Sequence, residues 1–341
     1  KYLDAIKQGH AELVLHKQMN YVPGISIAVS INGNLVWSEG LGLASTDLNA
    51  PATRETKYRI GEISEVFTAL AFNILVEKNK LDPDSTVHYY LPEFPTKKWD
   101  INLRHLVNQS SGIRIETIKE ENWTGLRNTI QSGLATFSND TLLFDPGFFQ
   151  LLSMFNYNLL GAIIEKTENK KFKEVINELI IDTLGLSNTV PDNPFVTIKG
   201  RADFFDHNYI SQVINATSTD LSHKLPSRGY LSTAEDLVKL GNAFLFSEYI
   251  SDSIKSKTFV VDEFPGGPSN WTNGWYIVDS RSGKKIYGSK GSVAGGGSGL
   301  LIYPNEKLVI AITTNLTDNS SGLPIFKIAN FFINFIEKKD L

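Results

Sequence analysis

Two carboxylates, Glu62 and Glu65, occupy the segment of the chain whose residue types could carry chemistry. They lie in residues 59–70, which read RIGEISEVFTAL, at the start of a helix predicted from about Ser64 to Lys78. Residues three apart share a helix face, so the two charges repel unless one carboxyl is protonated or a cation lies between them. A carboxylate can act as a nucleophile or as a general base. One interpretation of the chain is therefore a hydrolase that uses one of these groups to activate water.

The same segment resembles the nucleophile segment of the serine β-lactamase and penicillin-binding protein superfamily, which runs like R-I-G-S-x-S-K-x-F-T-A-L. In that superfamily the Ser of S-x-x-K attacks a carbonyl, and the Lys one helical turn later helps to deprotonate it. Here Glu62 stands at the Ser position and Glu65 at the Lys position. An acyl-Glu would be an anhydride, and Glu65 cannot supply a cation. The resemblance implies a catalytic scaffold that has lost its original reaction.

The resemblance extends over most of the chain and is closest to the class C, esterase and animal mitochondrial β-lactamase-like branches. Several ordered runs are similar to the superfamily text, and they fall at residues 24–42, 77–84 (EKNKLDPD), 101–113 (INLRHLVNQSSGI), 146–147 with 157–165, 229–237 (GYLSTAEDL) and 296–304 (GGSGLLIYP). So many matches in one order make a chance resemblance improbable.

The second catalytic motif of the superfamily, Y-x-N, is degenerate in this chain. Counted from Pro146-Gly147, it falls on Leu152, Ser153 and Met154. The resemblance implies that the phenol that relays protons and the amide that binds the substrate carbonyl are replaced by two apolar side chains.

The third motif, H/K-T/S-G, is degenerate as well. Counted back from Gly296, it falls on Ser289, Lys290 and Gly291, so the glycine alone is kept in place. Loss at all three motifs argues against the ancestral acyl transfer, and we predict that the chain is not an enzyme of that kind.

The replacements at the old centre predict an ion pair. By resemblance, Glu62 lies near the N-terminus of a buried helix, where free N–H groups and the helix dipole favour an anion, and it could occupy the old oxyanion hole. Lys290 is the available cation, because the strand that carries the third motif borders the same pocket in the family. We predict that Lys290 pairs with Glu62 or Glu65; the alternative is that the Glu side chains point to solvent.

The favoured function is that of a pseudoenzyme that binds a small, largely apolar ligand, such as a pigment or a lipid. The candidate ligand contacts are Glu62, Leu152, Met154, Lys290 and Tyr230, since the altered cleft would combine apolar walls with few polar groups. One alternative is a structural, assembly, storage or decoy protein whose cleft is plugged by the Glu/Lys group. The other is the Glu-based hydrolase.

Composition limits the remaining classes. The chain has 341 residues, of which 41% are hydrophobic and 21% charged, with a formal net charge of −4, so nothing favours nucleic-acid binding. No apolar run reaches membrane-spanning length. There is no Cys, and the six His show no metal-binding spacing. We therefore predict no metal, no cofactor and no membrane span, and leave a homo- or hetero-oligomer open.

Secretion is predicted from the glycosylation sequons. N-x-S/T occurs at Asn108, which we expect to lie too near packed structure to be modified, and at six further positions taken as candidates: Asn122, Asn139, Asn215, Asn270, Asn315 and Asn319. The chain begins with Lys1 and no Met, which fits a mature form after signal removal.

The elements that must position these residues are those of an α/β (α+β) fold of the β-lactamase/transpeptidase type. We predict an antiparallel sheet flanked by helices, formed by residues 1–79 and 226–341, with an inserted all-helical subdomain at 80–225. The sheet opens with strands 25–31 and 34–40 around an Asn32-Gly33 turn. The three degenerate motifs should converge at the cleft between the two parts.

Overall fold

An eight-stranded antiparallel sheet forms the centre of the structure, a computed structural model that describes residues 1–121, 123–125, 129–280, 283–317 and 322–337. The strands in chain order are β1 (Gly24–Ile31), β2 (Asn34–Ser45), β3 (Ala50–Pro51), β4 (Tyr58–Arg59), β5 (Val190–Pro191), β6 (Phe205–His207), β7 (Val213–Asn215), β8 (Tyr230–Ser232), β9 (Trp271–Thr272), β10 (Trp275–Asp279), β11 (Lys285–Val293), β12 (Gly296–Tyr303) and β13 (Leu308–Thr314). The central sheet has the order β3-β2-β1-β13-β12-β11-β10-β9, and a smaller sheet has the order β4-β8-β5.

Helices cover both faces of the central sheet. They are α1 (Leu3–Met19), α2 (Ile63–Glu77), α3 (Val87–Tyr90), α4 (Leu103–Val107), α5 (Ile118–Glu121), α6 (Ile130–Leu134), α7 (Met154–Glu168), α8 (Phe172–Ile176), α9 (Leu225–Arg228), α10 (Ala234–Phe246), α11 (Asp252–Thr258) and α12 (Ile325–Glu337). A π-helical segment, Asn177–Ile181, follows α8, and a 3₁₀ turn, Ser222–Lys224, precedes α9. The predicted antiparallel sheet with flanking helices is confirmed.

The first hairpin forms for local reasons. Asn32 and Gly33 both have positive φ, 53° and 75°, which is the backbone that a two-residue hairpin turn needs. Every residue of β1 is buried, because β1 lies between β2 and β13 in the sheet and helices pack on both of its faces. The hairpin predicted from the sequence is therefore present, and its second strand is longer than expected.

Two hydrophobic cores flank the sheet. One lies between the sheet and the helices that follow β4, and it includes α2, α7 and α10; the other lies beneath α1 and α12. Within α2, 12 of the 15 residues are buried. A helix apolar on all sides is a core helix, and α2 runs through the first core. This fixes the residues at its N-terminus, including Glu65, against the sheet.

The segment predicted as an all-helical insertion is not wholly helical. Residues 80–225 contain α3 to α8, but they also contain β5 and the β6–β7 hairpin. β5 pairs with β8, which lies beyond the predicted boundary, through Val190 and Leu231. The insertion is therefore joined to the rest of the chain by backbone hydrogen bonds that a helical pattern cannot indicate. Among the described residues, no helix is both long and apolar enough to cross a membrane.

Candidate functional site

Both carboxylate oxygens of Glu62 are bound inside the chain. Oε2 accepts a hydrogen bond from the backbone N–H of Ser292 at 2.7 Å, and Oε1 lies 2.7 Å from Nη2 of Arg228. Glu62 is the N-cap residue of α2, yet its side chain does not cap the helix. The anion is thus held by a backbone donor, and that donor comes from β11 rather than from the first turn of α2.

Glycines let β11 approach the start of α2 closely enough for this contact. A Cβ at Gly291 would lie 1.9 Å from the carbonyl oxygen of Ile60, and one at Gly61, whose φ is +52°, would lie 2.7 Å from the nitrogen of Ser292. Both distances are shorter than any real contact of such atoms, so neither position admits a side chain without a shift of the backbone. This explains in physical terms why Gly291 is the residue that remains of the third motif.

Arg228, the last residue of α9, faces three carboxylates. Besides Glu62, its Nη1 contacts Oε1 of Glu116 and lies 3.5 Å from Oε1 of Glu121. Burial acts to lower the pKa of Arg228, but the carboxylates of Glu62 and Glu116 outweigh it and raise that pKa above its usual value. The guanidinium therefore stays charged, and it neutralises part of a group with an excess of acids.

Burial shifts the pKa values of two residues in this group, Glu116 and Lys224. The pKa of Glu116 is raised, first by burial and against the attraction of Arg228. Burial lowers the pKa of Lys224 to about 8, while Glu116 opposes that shift. The Nζ of Lys224 donates to the carbonyl oxygens of Glu120 and Glu121 at 2.6 and 2.9 Å, so it holds the end of α5 beside Arg228. We call Glu62, Glu116, Glu121, Lys224 and Arg228 the Arg228 cluster.

Glu65 lies deeper than Glu62 and, among the residues that the structure describes, forms no ion pair, although the charge of Arg228 still attracts it. Its side chain is only 2% exposed, and Oε2 accepts a hydrogen bond of 3.3 Å from Nε2 of Gln109. Burial raises the pKa of Glu65 well above its usual value, and the charge of Glu62 adds to the effect. Gln109 is fixed in turn, because its Oε1 accepts from Nδ2 of Asn156 at 2.6 Å and from the N–H of Ser153 at 2.9 Å.

The predicted ion pair of Lys290 is wrong. Lys290 is exposed, and it pairs across the sheet with Gly299, where an added Cβ would lie 3.2 Å from Ile325 of α12. Its neighbour Ser289 is buried and pairs with Leu300, which packs in the same core as α2. Successive side chains of a strand point to opposite faces, so Lys290 lies on the face of the sheet away from Glu62 and Glu65. The cation that binds Glu62 is Arg228.

The predicted apolar ligand contacts do not share one surface. Met154 and Tyr230 are buried in the core, where the ring of Tyr230 stacks on Phe67 with 5.6 Å between ring centroids. Leu152, by contrast, is 51% exposed. The structure therefore separates Leu152 from Met154 and Tyr230, because the chain turns inward at Ser153 to begin α7.

The glycosylation candidates divide by burial. Asn139, Asn215 and Asn270 are exposed, whereas Asn122 and Asn319 lie outside the described residues. Asn315 is fully buried: its Oδ1 accepts from the N–H of Gly24 and its Nδ2 donates to the carbonyl oxygen of Leu43. A side chain that holds two strands together in the core cannot carry a glycan in the folded protein, so the prediction for Asn315 is wrong. Asn108 is buried, as expected.

Sequence reasoning missed Arg228, Glu116 and Gln109. Arg228 precedes the recognisable run that starts at Gly229, and Gln109 lies inside the run at 101–113, but neither is part of a motif quoted for catalysis. The sequence does not indicate that Arg228 lies beside Glu62, because that contact arises only in the fold. Within the described part of the chain, His, Asp and Glu side chains form no group of three that could hold a metal ion.

Comparisons with known proteins agree with the fold and with the sequence resemblance. The family model described as Beta-lactamase matches residues 12–325. The Homo sapiens protein named Serine beta-lactamase-like protein LACTB, mitochondrial, is 29% identical over 86% of this chain and 71% of its own length. Protein flp of Staphylococcus aureus strain MW2 is 23% identical over 90% of this chain and 62% of its own length.

Solved structures give the same result. The octameric penicillin-binding protein homologue from Pyrococcus abyssi superposes with a TM-score of 0.83 at 25% identity, over 98% of this chain and 77% of that one. A class C beta-lactamase superposes with a TM-score of 0.80 at 18% identity, over 97% of this chain and 96% of that one. The resemblance predicted from the sequence is confirmed.

Proposed function

Because the chain belongs to the β-lactamase family but carries a bound Glu62 in place of the nucleophile, we propose that it is a non-catalytic member that works as a structural or assembly protein. The observation that carries the proposal is the binding of both Glu62 oxygens, one by Arg228 and one by Ser292. A group engaged in this way is not available to attack a substrate or to accept a proton from water.

The loss of the general base supports the same proposal. Glu65 stands at the position of the family lysine, where a cation is required, and its surroundings favour the neutral acid because burial and Glu62 raise its pKa. Gln109 covers its Oε2. A Glu-based hydrolase would need Glu62 or Glu65 in contact with water and substrate, so this alternative finds less support in the geometry.

The carrier of a small apolar ligand also finds less support. Met154 and Tyr230 are needed for core packing, and Lys290 lies on the other face of the sheet from Glu62. An apolar pocket that includes these residues would require the core around α2 and α7 to open. We therefore favour the alternative in which the cleft is plugged, with Arg228 rather than Lys290 as the cation that pairs with Glu62.

Assembly is proposed because the homologue from Pyrococcus abyssi is described as octameric and matches nearly the whole of this chain. A fold with a closed centre can still present surfaces to other copies of itself. Secretion and glycosylation remain part of the proposal, with Asn139, Asn215 and Asn270 as exposed acceptors.

Exposure to acylating substrates tests the lack of catalysis. The protein is incubated with a penicillin, a cephalosporin and a p-nitrophenyl ester, and intact mass and product release are followed, with a class C β-lactamase as the positive control. We expect no acyl adduct and no release above the buffer rate. An adduct or a turnover that disappears in Glu62→Gln or Glu65→Gln would contradict the proposal and favour the hydrolase.

The assembly role needs its own measurement. Native mass spectrometry of protein from its natural source, before any denaturing step, should give an oligomer whose mass is that of the chains plus glycans. Stoichiometric extra mass beyond glycans, or visible absorbance, would favour the carrier instead. A monomer with no extra mass would contradict the assembly role.

A further inference from the structure

The geometry points to a carboxylate-binding site that Glu62 occupies from within the chain, as a tethered ligand. This inference rests on the proposed function, since it concerns the same position, and it adds the chemical class that the site accepts. The receptor consists of the N–H of Ser292 and the guanidinium of Arg228. Once Glu62 is removed, these two donors should bind a small free monocarboxylate.

The two donors fit the two oxygens of one carboxylate. The N–H of Ser292 donates to Oε2, and Nη2 of Arg228 forms an ion pair with Oε1, each at 2.7 Å, so each oxygen has its own partner. Charge-assisted hydrogen bonds of this kind are among the stronger polar contacts in proteins. The two groups come from different elements: the N–H of Ser292 belongs to the backbone of β11, and Arg228 ends α9 and has partners besides Glu62. The close approach of Gly291 to Ile60 fixes the first, and the contact of Glu116 with Arg228 helps to fix the second.

The charges around the site favour a monoanion. Arg228 is shared with Glu116 and Glu121, and Glu65 lies behind Glu62, so the described groups facing the site are already rich in acids. Lys224 is the other cation beside the group. A carboxylate that replaces Glu62 restores the same single charge. A dianion such as sulfate or phosphate would add a second negative charge beside these acids and should bind less well.

The space that a substitution opens has about the size of acetate. Changing Glu62 to Ala deletes the Cγ methylene and the carboxylate, which together have the heavy atoms of acetate. The side chain of Glu62 is 24% exposed, so the space is open to solvent and acetate can enter without unfolding the core. Acetate in the variant would thus make the contacts that Glu62 makes in the natural protein.

Thermal denaturation of Glu62→Ala with added acetate tests this site. At pH 7 and constant ionic strength, sodium acetate should raise the unfolding midpoint of the variant saturably, by roughly 2–4 °C, when it exchanges for chloride. Sodium sulfate should raise it no more than it raises the midpoint of the natural protein. Glu62→Gln is the matched control: its amide fills the same space, so acetate should give no added shift there.

Two results would overturn the inference. One is a folded Glu62→Ala protein whose midpoint responds to acetate no more than the natural protein does. The other is an equal response to sulfate, which would indicate a general anion effect. If the variant does not fold in chloride, its refolded fraction is compared in acetate and in chloride, and an equal fraction would also contradict the site. Broadening of the ¹³C-acetate signal by the variant alone gives a second readout.

The outcomes separate this inference from the proposed function. Acylation of the natural protein would contradict the lack of catalysis without testing the carboxylate receptor. A failure of acetate to bind Glu62→Ala would contradict the carboxylate site and would not affect the proposal that the protein lacks acyl transfer.

Discussion

Arg59 and Arg228 both lie against acids in this protein, and their surroundings differ. Nε of Arg59 lies 2.7 Å from Oδ2 of Asp192, and the two side chains are 4% and 2% exposed. Nη1 of Arg59 also donates to the carbonyl oxygen of Ala294 and to Oγ1 of Thr219, while its guanidinium lies 3.8 Å from the ring centroid of Phe204. This pair is closed: the guanidinium of Arg59 meets one buried acid, its remaining donors have neutral partners, and Arg201 lies 3.6 Å from the other oxygen of Asp192.

The Arg228 cluster is open by comparison. One guanidinium faces three carboxylates, and the group reaches solvent at Glu121, which is 44% exposed, and at Glu62. Two of the acids in or beside it, Glu116 and Glu65, have raised pKa values because of burial. The contrast teaches that burial of an arginine does not by itself identify a structural pair. The surplus of acids marks the region where protonation or exchange of an anion can occur.

The largest effect is expected at the closed pair. Arg59→Met should lower the free energy of unfolding by about 3–5 kcal/mol, because Asp192 would remain buried with Arg201 as a more distant cation at 3.6 Å. Urea denaturation measures the change. Arg59→Lys keeps the charge and serves as the control for lost hydrogen bonds; a loss under about 1 kcal/mol for Arg59→Met would contradict the structural role.

The loss of unfolding free energy caused by Arg228→Met should be smaller and should depend on pH. We expect a loss of about 3 kcal/mol at pH 8, because Glu62 and Glu116 would then lose the guanidinium and keep only Lys224, whose pKa is about 8, as a nearby cation. The loss should shrink at pH 5, since Glu116, whose pKa is already raised, can take up a proton. Urea denaturation at both pH values checks this. Equal losses at the two pH values would contradict proton uptake by Glu116 and would mean that the cluster behaves like the pair of Arg59 and Asp192.

Glu65→Gln should stabilise the protein at neutral pH. The folded-state pKa of Glu65 is raised above its unfolded value, so the folded protein holds the proton more tightly, and stability falls as pH rises between the two pKa values. The slope in that window is about 1.4 kcal/mol per pH unit for one group. The stability of the Glu65→Gln variant should not fall in this way as the pH rises. Glu77→Gln, at the exposed end of the same helix, is the control and should leave the pH dependence unchanged.

The smallest effect is expected for Lys290→Met. Lys290 is exposed on the face of β11 away from α2, so the change in unfolding free energy should stay within about 0.5 kcal/mol. Urea denaturation provides the measurement. A loss as large as that of Arg228→Met would restore the ion pair first predicted from the sequence.

Local patterns predicted the elements well. The helix expected from about Ser64 to Lys78 is α2, and the strands expected at 25–31 and 34–40 are β1 and β2. α10 begins at a hydroxyl cap of the kind that a sequence can indicate, since Oγ1 of Thr233 accepts from the N–H of Asp236. These signals are contained in a few neighbouring residues: apolar periodicity, alternation and a hydroxyl cap.

The site was harder to predict because its contacts are not local. Arg228 and Glu62 are far apart in sequence, and no spacing rule connects α9 with the start of α2. One error was avoidable: in a strand, Lys290 must point away from the face of its neighbours Ser289 and Gly291. The burial of Met154 depends on how α7 packs, which the resemblance to a motif position does not reveal.

The order of strands in the central sheet has a consequence for the synthesis of the chain. β1 pairs with β13 along its whole length, from Ile25 with Thr314 to Ile31 with Leu308. At about 5–20 residues per second, a ribosome adds β13 roughly 15–55 s after β1. During this interval a strand whose residues are all buried in the folded protein has one unpaired edge, which invites pairing with other chains. Completion of the last strand therefore ends the period in which the nascent protein is most prone to aggregate.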